Sequence, residues 1–274
     1  MYRIPDNLPP GGIALLGVPF DAFSSFLRGS AQAPSVIRCQ LRSGASNLSS
    51  ESGLDLDSDG RWSDAGDLTL PDTLAAMDRI HEGALDLLQR GWRLLSLGGD
   101  HSITFPLVRA YAQVYGPLSI LHLDAHPDLY DEYEGNRYSH ACPMARIMEQ
   151  GLARELVQVG VRTLNAPQRA QAERYGVRIL DMRSWDHHAQ LVLHGPVYLS
   201  LDLDVLDPAF APGVSHHEPG GLATRQVLDI IQGFHGELVG ADIVEFNPSR
   251  DTTGITAALA AKLLKETLAR MLAM

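Results

Sequence analysis

Short apolar runs alternate along the chain with longer segments whose apolar residues recur at helical spacing. The runs Ile13–Val18, Arg93–Leu97, Leu118–Leu123, Leu156–Val161, Val177–Leu180, Val197–Leu203 and Leu238–Val244 predict strands. They are apolar nearly throughout rather than alternating, which implies burial on both faces. The periodic segments Pro34–Ser43, Leu74–Arg90, Ile103–Tyr115, His140–Glu149, Pro167–Tyr175, Thr224–Phe234 and Thr253–Met274 predict helices. This βα rhythm predicts a three-layer α/β/α fold around a mostly parallel central sheet. The stretch Ser43–Asp67, rich in Ser, Asp and Gly, lacks periodicity and reads as a long surface loop, an interdomain linker being the alternative. The apolar face of the last segment, carrying Ala257, Ala260, Leu264 and Leu268, reads as core packing, with a subunit contact as the alternative. No repeat or change of composition divides the 274 residues, so a single domain over 1–274 is expected.

Charge narrows the function class. With 22 Lys+Arg against 33 Asp+Glu the formal net charge is −11, which argues against nucleic acid and favours a small cationic partner. No apolar run approaches the ~20 residues of a membrane helix. Two cysteines, Cys39 and Cys142, make no disulfide framework, and Met1–Pro10 shows no apolar signal segment; together they predict a cytoplasmic protein.

Parallel sheets bind ligands beyond the carboxyl ends of their strands. Four of the predicted strands run there into carboxylates or imidazoles: Gly98-Gly99-Asp100-His101-Ser102, Asp124-Ala125-His126-Pro127-Asp128, Asp202-Leu203-Asp204, and Glu245-Phe246-Asn247-Pro248. Asp124, His126 and Asp128 lie two apart, as do Asp202 and Asp204, so an extended backbone presents each set on one side. Four converging aspartates repel one another unless cations intervene, and neither stretch contains Lys or Arg. Two divalent ions would balance four carboxylates. The ligand set read in this way is His101, Asp124, His126, Asp128, Asp202 and Asp204. Its oxygen-rich character with some nitrogen and no thiolate suits manganese or iron rather than structural zinc. Two such ions sharing one water would lower its pKa and supply a nucleophile near neutral pH.

Three ordered motifs, Gly98–Ser102, Asp124–Asp128 and Ser200–Gly213, resemble those of the ureohydrolases, the superfamily of arginase, agmatinase, guanidinobutyrase and formimidoylglutamase. The resemblance runs from about Gly12 to the last helix. In the segments Glu134–Ala141, Gly213–Gly221 and Val244–Asp251 it is similar in detail to plant-type arginases and their bacterial relatives. It implies two Mn2+ per chain, one held by His101 and Asp128, the other by His126 and Asp204, with Asp124 and Asp202 bridging. Asp128 would also orient the nucleophilic water. His140 stands at the position of a proton-shuttling histidine, and Glu245 at that of the carboxylate that pairs with a guanidinium. Asn136, Arg137, Ser139 and His217 are the further candidates for substrate contact. A homo-oligomer, trimer or hexamer, is also implied.

The expected reaction is hydrolysis of a guanidino compound, arginine or agmatine, to urea and an amine. Guanidinobutyrase, guanidine hydrolase or formimidoylglutamase activity stays open, as does a non-catalytic metal-binding relative. A single-metal deacetylase of related fold is set against the paired Asp motifs, which imply two metals. Asp100 is read as a helix cap, and His122, inside an apolar strand, as a buried structural residue. His81 and His187-His188 are read as solvated. His216-His217 is left between substrate contact and structure, and Cys142 is set aside as a nucleophile.

Overall fold

The computed structural model describes residues 9–186 and 190–273, so Met1–Leu8, His187–Ala189 and Met274 lie outside the described residues. Eight strands form one sheet: β1 (Ile13–Val18), β2 (Trp62–Asp67), β3 (Arg93–Gly98), β4 (Leu118–Leu123), β5 (Ala153–Val159), β6 (Arg178–Leu180), β7 (Val192–Asp202) and β8 (His235–Val244). Their order is β2-β1-β3-β8-β7-β4-β5-β6, and every pairing is parallel.

Among the described residues seven α-helices cover the two faces: α1 (Ala33–Leu41), α2 (Ala75–Gln89), α3 (Thr104–Tyr115), α4 (Pro143–Glu149), α5 (Ala166–Tyr175), α6 (Thr224–Gly233) and α7 (Ile255–Leu272). Apolar strand residues alternate between two cores. Ile13, Leu15, Leu95, Leu121 and Leu199 pack towards α1, α6 and α7. Ala14, Leu16, Leu94, Ile120 and Tyr198 pack towards α2, α3, α4 and α5. This two-sided burial is why the strands read as unbroken apolar runs. Among the described residues no helix is long and apolar enough to cross a membrane.

Two sequence expectations are revised. β2 lies inside the stretch expected to be loop. Its sequence, Trp-Ser-Asp-Ala-Gly-Asp, is polar because it forms a sheet edge, where Arg38 of α1 pairs with Asp64 and Asp67. Helix α4 begins at Pro143, not His140; Pro143 occupies the first helical position, leaving His140 in the preceding loop.

The chain winds outward from β1 to β2, returns through β3, and then jumps to β4. Strands β7 and β8 later fill the gap between them. The loops after β3 and β4 therefore flank a crevice at the carboxyl ends of β3-β8-β7-β4, the four central strands.

Candidate metal centre and its cleft

His101 follows β3 on a short helical turn whose first residue, Asp100, caps it by accepting the Ser102 N–H at 3.1 Å. The other Asp100 oxygen accepts the Phe23 N–H at 3.0 Å, tying down the loop that follows β1. Gly99 makes that close approach possible: a Cβ there would lie 1.9 Å from the Phe20 carbonyl oxygen. Burial, then the nearby charge of Glu245, pushes the Asp100 carboxyl up to about 6.

The six expected ligands meet. His101 Nδ1 lies 3.1 Å from one oxygen each of Asp124, Asp128 and Asp202. His126 Nδ1 lies 3.0 Å from Asp204 Oδ2 and 3.4 Å from Asp124 Oδ1. Asp124 thus turns Oδ2 to the His101 side and Oδ1 to the His126 side. Local turns lock the carboxylates: Asp124 Oδ1 accepts the His126 N–H at 2.6 Å, Asp202 Oδ1 the Asp204 N–H at 2.8 Å, and Asp204 Oδ1 the Ala125 N–H at 3.1 Å.

Hydrogen-bond direction tests whether the donors fit a cation. The Ser200 hydroxyl donates to Asp242 Oδ1 at 2.8 Å, so it accepts from His101 Nε2–H at 2.9 Å. Asp242 also accepts the hydroxyls of Thr104 and Tyr198. With its proton on Nε2, His101 leaves Nδ1 as a bare lone pair, fully buried, without a hydrogen-bond donor and facing three carboxylate oxygens. Such an arrangement is repulsive until a positive charge enters, and a metal-bound histidine commonly donates its other N–H to a fixed acceptor in this way. The residues therefore fit a divalent cation. A proton is an alternative occupant: burial disfavours it, but the carboxylates of Asp124, Asp128 and Asp202 outweigh burial and hold His101 well above the ordinary imidazole range. Burial, reinforced by Asp204 and Asp124, likewise raises Asp202.

Beside this cluster, His140 Nδ1 lies 2.8 Å from Glu245 Oε1, which also accepts the His101 N–H at 2.9 Å. The Ser25 N–H and hydroxyl meet His140 Nε2 at 3.1 and 2.8 Å. Burial lowers the affinity of His140 for a proton, but the charge of Glu245 overrides it and leaves the imidazole at about 9. Glu245 is correspondingly lowered, the cation of His140 outweighing burial. Asp128 and Glu245 both adopt left-handed backbone, with φ of 50° and 63°. For a residue with a Cβ this costs about 1–3 kcal/mol, and such strain gathers at functional sites.

These groups line a cavity of about 190 Å³, together with Tyr130, Tyr133, Thr163, Gln168, His216 and Glu218. The expected substrate contacts are placed differently. His217 is exposed, its Nε2 on the Pro212 carbonyl, while its neighbour His216 faces the cavity, 5.2 Å from the His140 ring. Arg137 points away, bound to both Glu149 oxygens at 2.8 Å and to Asp131. Asn136 caps the Tyr138 N–H, and Ser139 is buried against the Ala141 N–H; neither lines the cavity. Ser25 and Gln168 carried no signal in sequence. Cys142 is buried, its thiol pushed up to about 12 by burial and then by Asp128, which disables it as a nucleophile. His122 is buried as expected, and its ring nitrogens are both engaged, Nε2 with Asp124 and Nδ1 with Gln158.

Comparison with known proteins agrees with this geometry. The sequence model described as the Arginase family matches residues 11–269. The chain is 46% identical to "Arginase 1, mitochondrial" of Arabidopsis thaliana, covering 94% of this chain and 80% of that one. It is 35% identical to "Guanidino acid hydrolase, mitochondrial" of Homo sapiens, covering 98% and 81%. The solved structure "Arginase from Medicago truncatula" superposes with a TM-score of 0.90 at 46% identity, covering 96% and 88%. The plant arginases matched from Arabidopsis thaliana, Oryza sativa and Medicago truncatula are named mitochondrial or chloroplastic, which overturns the expectation of a cytoplasmic protein. Scarce cysteines report a reducing compartment, and an address does not follow from that. On the extent of these matches, and on an all-parallel sheet that delivers its acidic and imidazole side chains to one crevice, the chain belongs to the arginase family of hydrolases.

Proposed function

We infer that the chain hydrolyses a small cationic guanidino compound, arginine or agmatine, to urea and an amine. The observation that carries this reading is the bare His101 Nδ1 facing three carboxylates, two of which, Asp128 and Asp202, line one cavity with the Glu245–His140 pair. His101, Asp124, Asp128, Asp202, His126 and Asp204 would hold two Mn2+. Bound there, the pair would supply an activated water at neutral pH.

The chain's own residues account for the rest. Glu245, held below the ordinary carboxylate range, is ionised at neutral pH and pairs with the planar guanidinium, fixing its carbon for attack. His140 donates Nδ1–H to Glu245 and accepts the Ser25 N–H at Nε2; with its affinity for a proton raised to about 9, the imidazole is suited to take up a further proton and pass it to the departing amine. Ser25, by clasping Nε2 while Glu245 clasps Nδ1, sets the plane of the ring. Besides Glu245 and His140 the cavity offers Tyr130, Tyr133, Thr163, Gln168 and the acidic Glu218, and none of its lining residues is Lys or Arg. A cationic far end is therefore accommodated and Arg137 takes no part. The plant-type motifs keep arginine in the reading. A homo-oligomer, trimer or hexamer, is part of the same proposal.

The test is urea release from arginine, agmatine, guanidinobutyrate and free guanidine after manganese loading. Urea from arginine or agmatine, lost in Asp202→Ala, is the expected result. No urea from any of the four would overturn the reading.

A further inference from the structure

One residue level below the ligands, a row of polar side chains crosses the middle of the sheet. Ser96 of β3 pairs in register with Asp242 of β8, Asp242 with Ser200 of β7, Ser200 with His122 of β4, and His122 with Gln158 of β5. All five have no measurable exposure. Burying such a row costs free energy unless its hydrogen bonds are made and directed. The chain retains it in strands whose neighbouring buried positions are mostly apolar, directly beneath Asp124 and Asp202.

Its β7–β8 half ends on His101, as described above. Its β4–β5 half ends on Asp124. The Gln158 amide nitrogen lies 2.7 Å from the Pro127 carbonyl oxygen, which only accepts, so that atom is the NH2 group. The same nitrogen lies 2.9 Å from His122 Nδ1 and donates to it. The imidazole proton is thereby placed on Nε2, which points at Asp124 Oδ2 from 2.8 Å. Asp124 Oδ2 is the oxygen that faces His101 Nδ1. His122 lies close enough to the cluster to resemble a ligand. With Nδ1 accepting from Gln158 and Nε2 donating to Asp124, it has no lone pair to give a metal.

We propose that His122 is a positioning residue of the metal centre, which orients the Asp124 carboxylate through Nε2–H, and that Gln158 keeps the proton on that nitrogen. The carboxylate is held with one oxygen to each side of the cluster, and part of its charge is shared with the imidazole. The proposal rests on the metal reading given above.

The test is manganese affinity, measured by titration of free Mn2+ with its electron paramagnetic resonance signal, in wild type, His122→Leu, His122→Gln and Gln158→Leu. His122→Leu keeps the strand apolar and removes the donor. It is expected to weaken binding by about 10- to 100-fold, the range for the loss of an outer hydrogen bond to a ligand. His122→Gln restores an N–H near the place of Nε2 and is expected to recover binding to within about threefold of wild type, on the same scale. Gln158→Leu leaves the ring but frees its tautomer, and is expected to weaken binding by a smaller factor. It also reports on the relay if His122→Leu does not fold. Wild-type affinity in His122→Leu and Gln158→Leu would overturn the proposal. Equal loss in His122→Leu and His122→Gln would overturn it too, since a direct ligand would behave so. A wild type that binds no manganese would instead overturn the metal reading itself.

Discussion

Replacing Glu245 by Gln isolates the electrostatic coupling at the heart of the cleft. Glu245 Oε1 lies 2.8 Å from His140 Nδ1, and both groups are buried, with relative exposures of 4% and 8%. Burial alone would push the imidazole below its ordinary value near 6.5; the charge of Glu245 is the main reason it stands at about 9 instead. The difference of roughly 2.5 pH units corresponds to about 3 kcal/mol between the two protonation states. A glutamine keeps the shape and removes the charge, so His140 is expected to titrate well below about 9 in metal-stripped Glu245→Gln, with Asp100 and Asp128 left as the charges that favour its proton. Because the folded pKa of His140 is raised above its unfolded value, its stabilising contribution is complete below about pH 6.5 and disappears as pH rises through about 9. The stability advantage of wild type over Glu245→Gln should therefore shrink across that window by up to about 3 kcal/mol. The window lies above the range in which Asp100, at about 6, titrates. The assays are an NMR titration of His140 and urea unfolding at several pH values. An imidazole that still titrates near 9 in the variant, or parallel stability curves, would refute the coupling.

Other consequences are simpler to measure. A thiol reagent at pH 8 should label one cysteine per native chain, the exposed Cys39, and two after denaturation, because Cys142 is buried with its thiol pushed up to about 12. Fast labelling of both native thiols would contradict this packing. Gly99→Ala should lower the unfolding free energy by at least about 1–3 kcal/mol, since its methyl would meet the Phe20 carbonyl oxygen; an unchanged melting temperature would contradict that contact. Arg137→Ala should leave KM within about twofold of wild type, because an exposed ion pair contributes only about 0–1 kcal/mol and the guanidinium points at Glu149. A tenfold rise would return Arg137 to the substrate site.

Much of this molecule was legible before the fold was known, because the signals were periodic or local. Seven of the eight strands were marked by apolar runs, and their carboxyl ends led straight to His101, Asp124, Asp128, Asp202 and Glu245. β2 was hidden because an edge strand needs little apolar surface, so Trp62–Asp67 kept the composition of a loop. Ser25 meets His140 across 115 residues of sequence, and no local pattern announces such a pair. The choice between His216 and His217 depends on the course of an irregular loop, which the order of two identical residues does not encode. The left-handed backbone at Asp128 and Glu245 is likewise silent, since a residue with a Cβ is not expected there. The polar row through Ser96, Asp242, Ser200, His122 and Gln158 did leave a trace. His122 and Ser200 each sit two residues before a ligand, on the same face of their strands. The pattern becomes informative once the strands are known to be neighbours.

The proposed hydrolysis needs two divalent ions held in this crevice. Metal content per chain after manganese loading and removal of free metal tests it most directly. The wild type should retain close to two manganese ions and Asp124→Ala should show a marked loss, because the Asp124 carboxylate faces both histidines. One ion or none in the wild type, or two retained without Asp124, would contradict it.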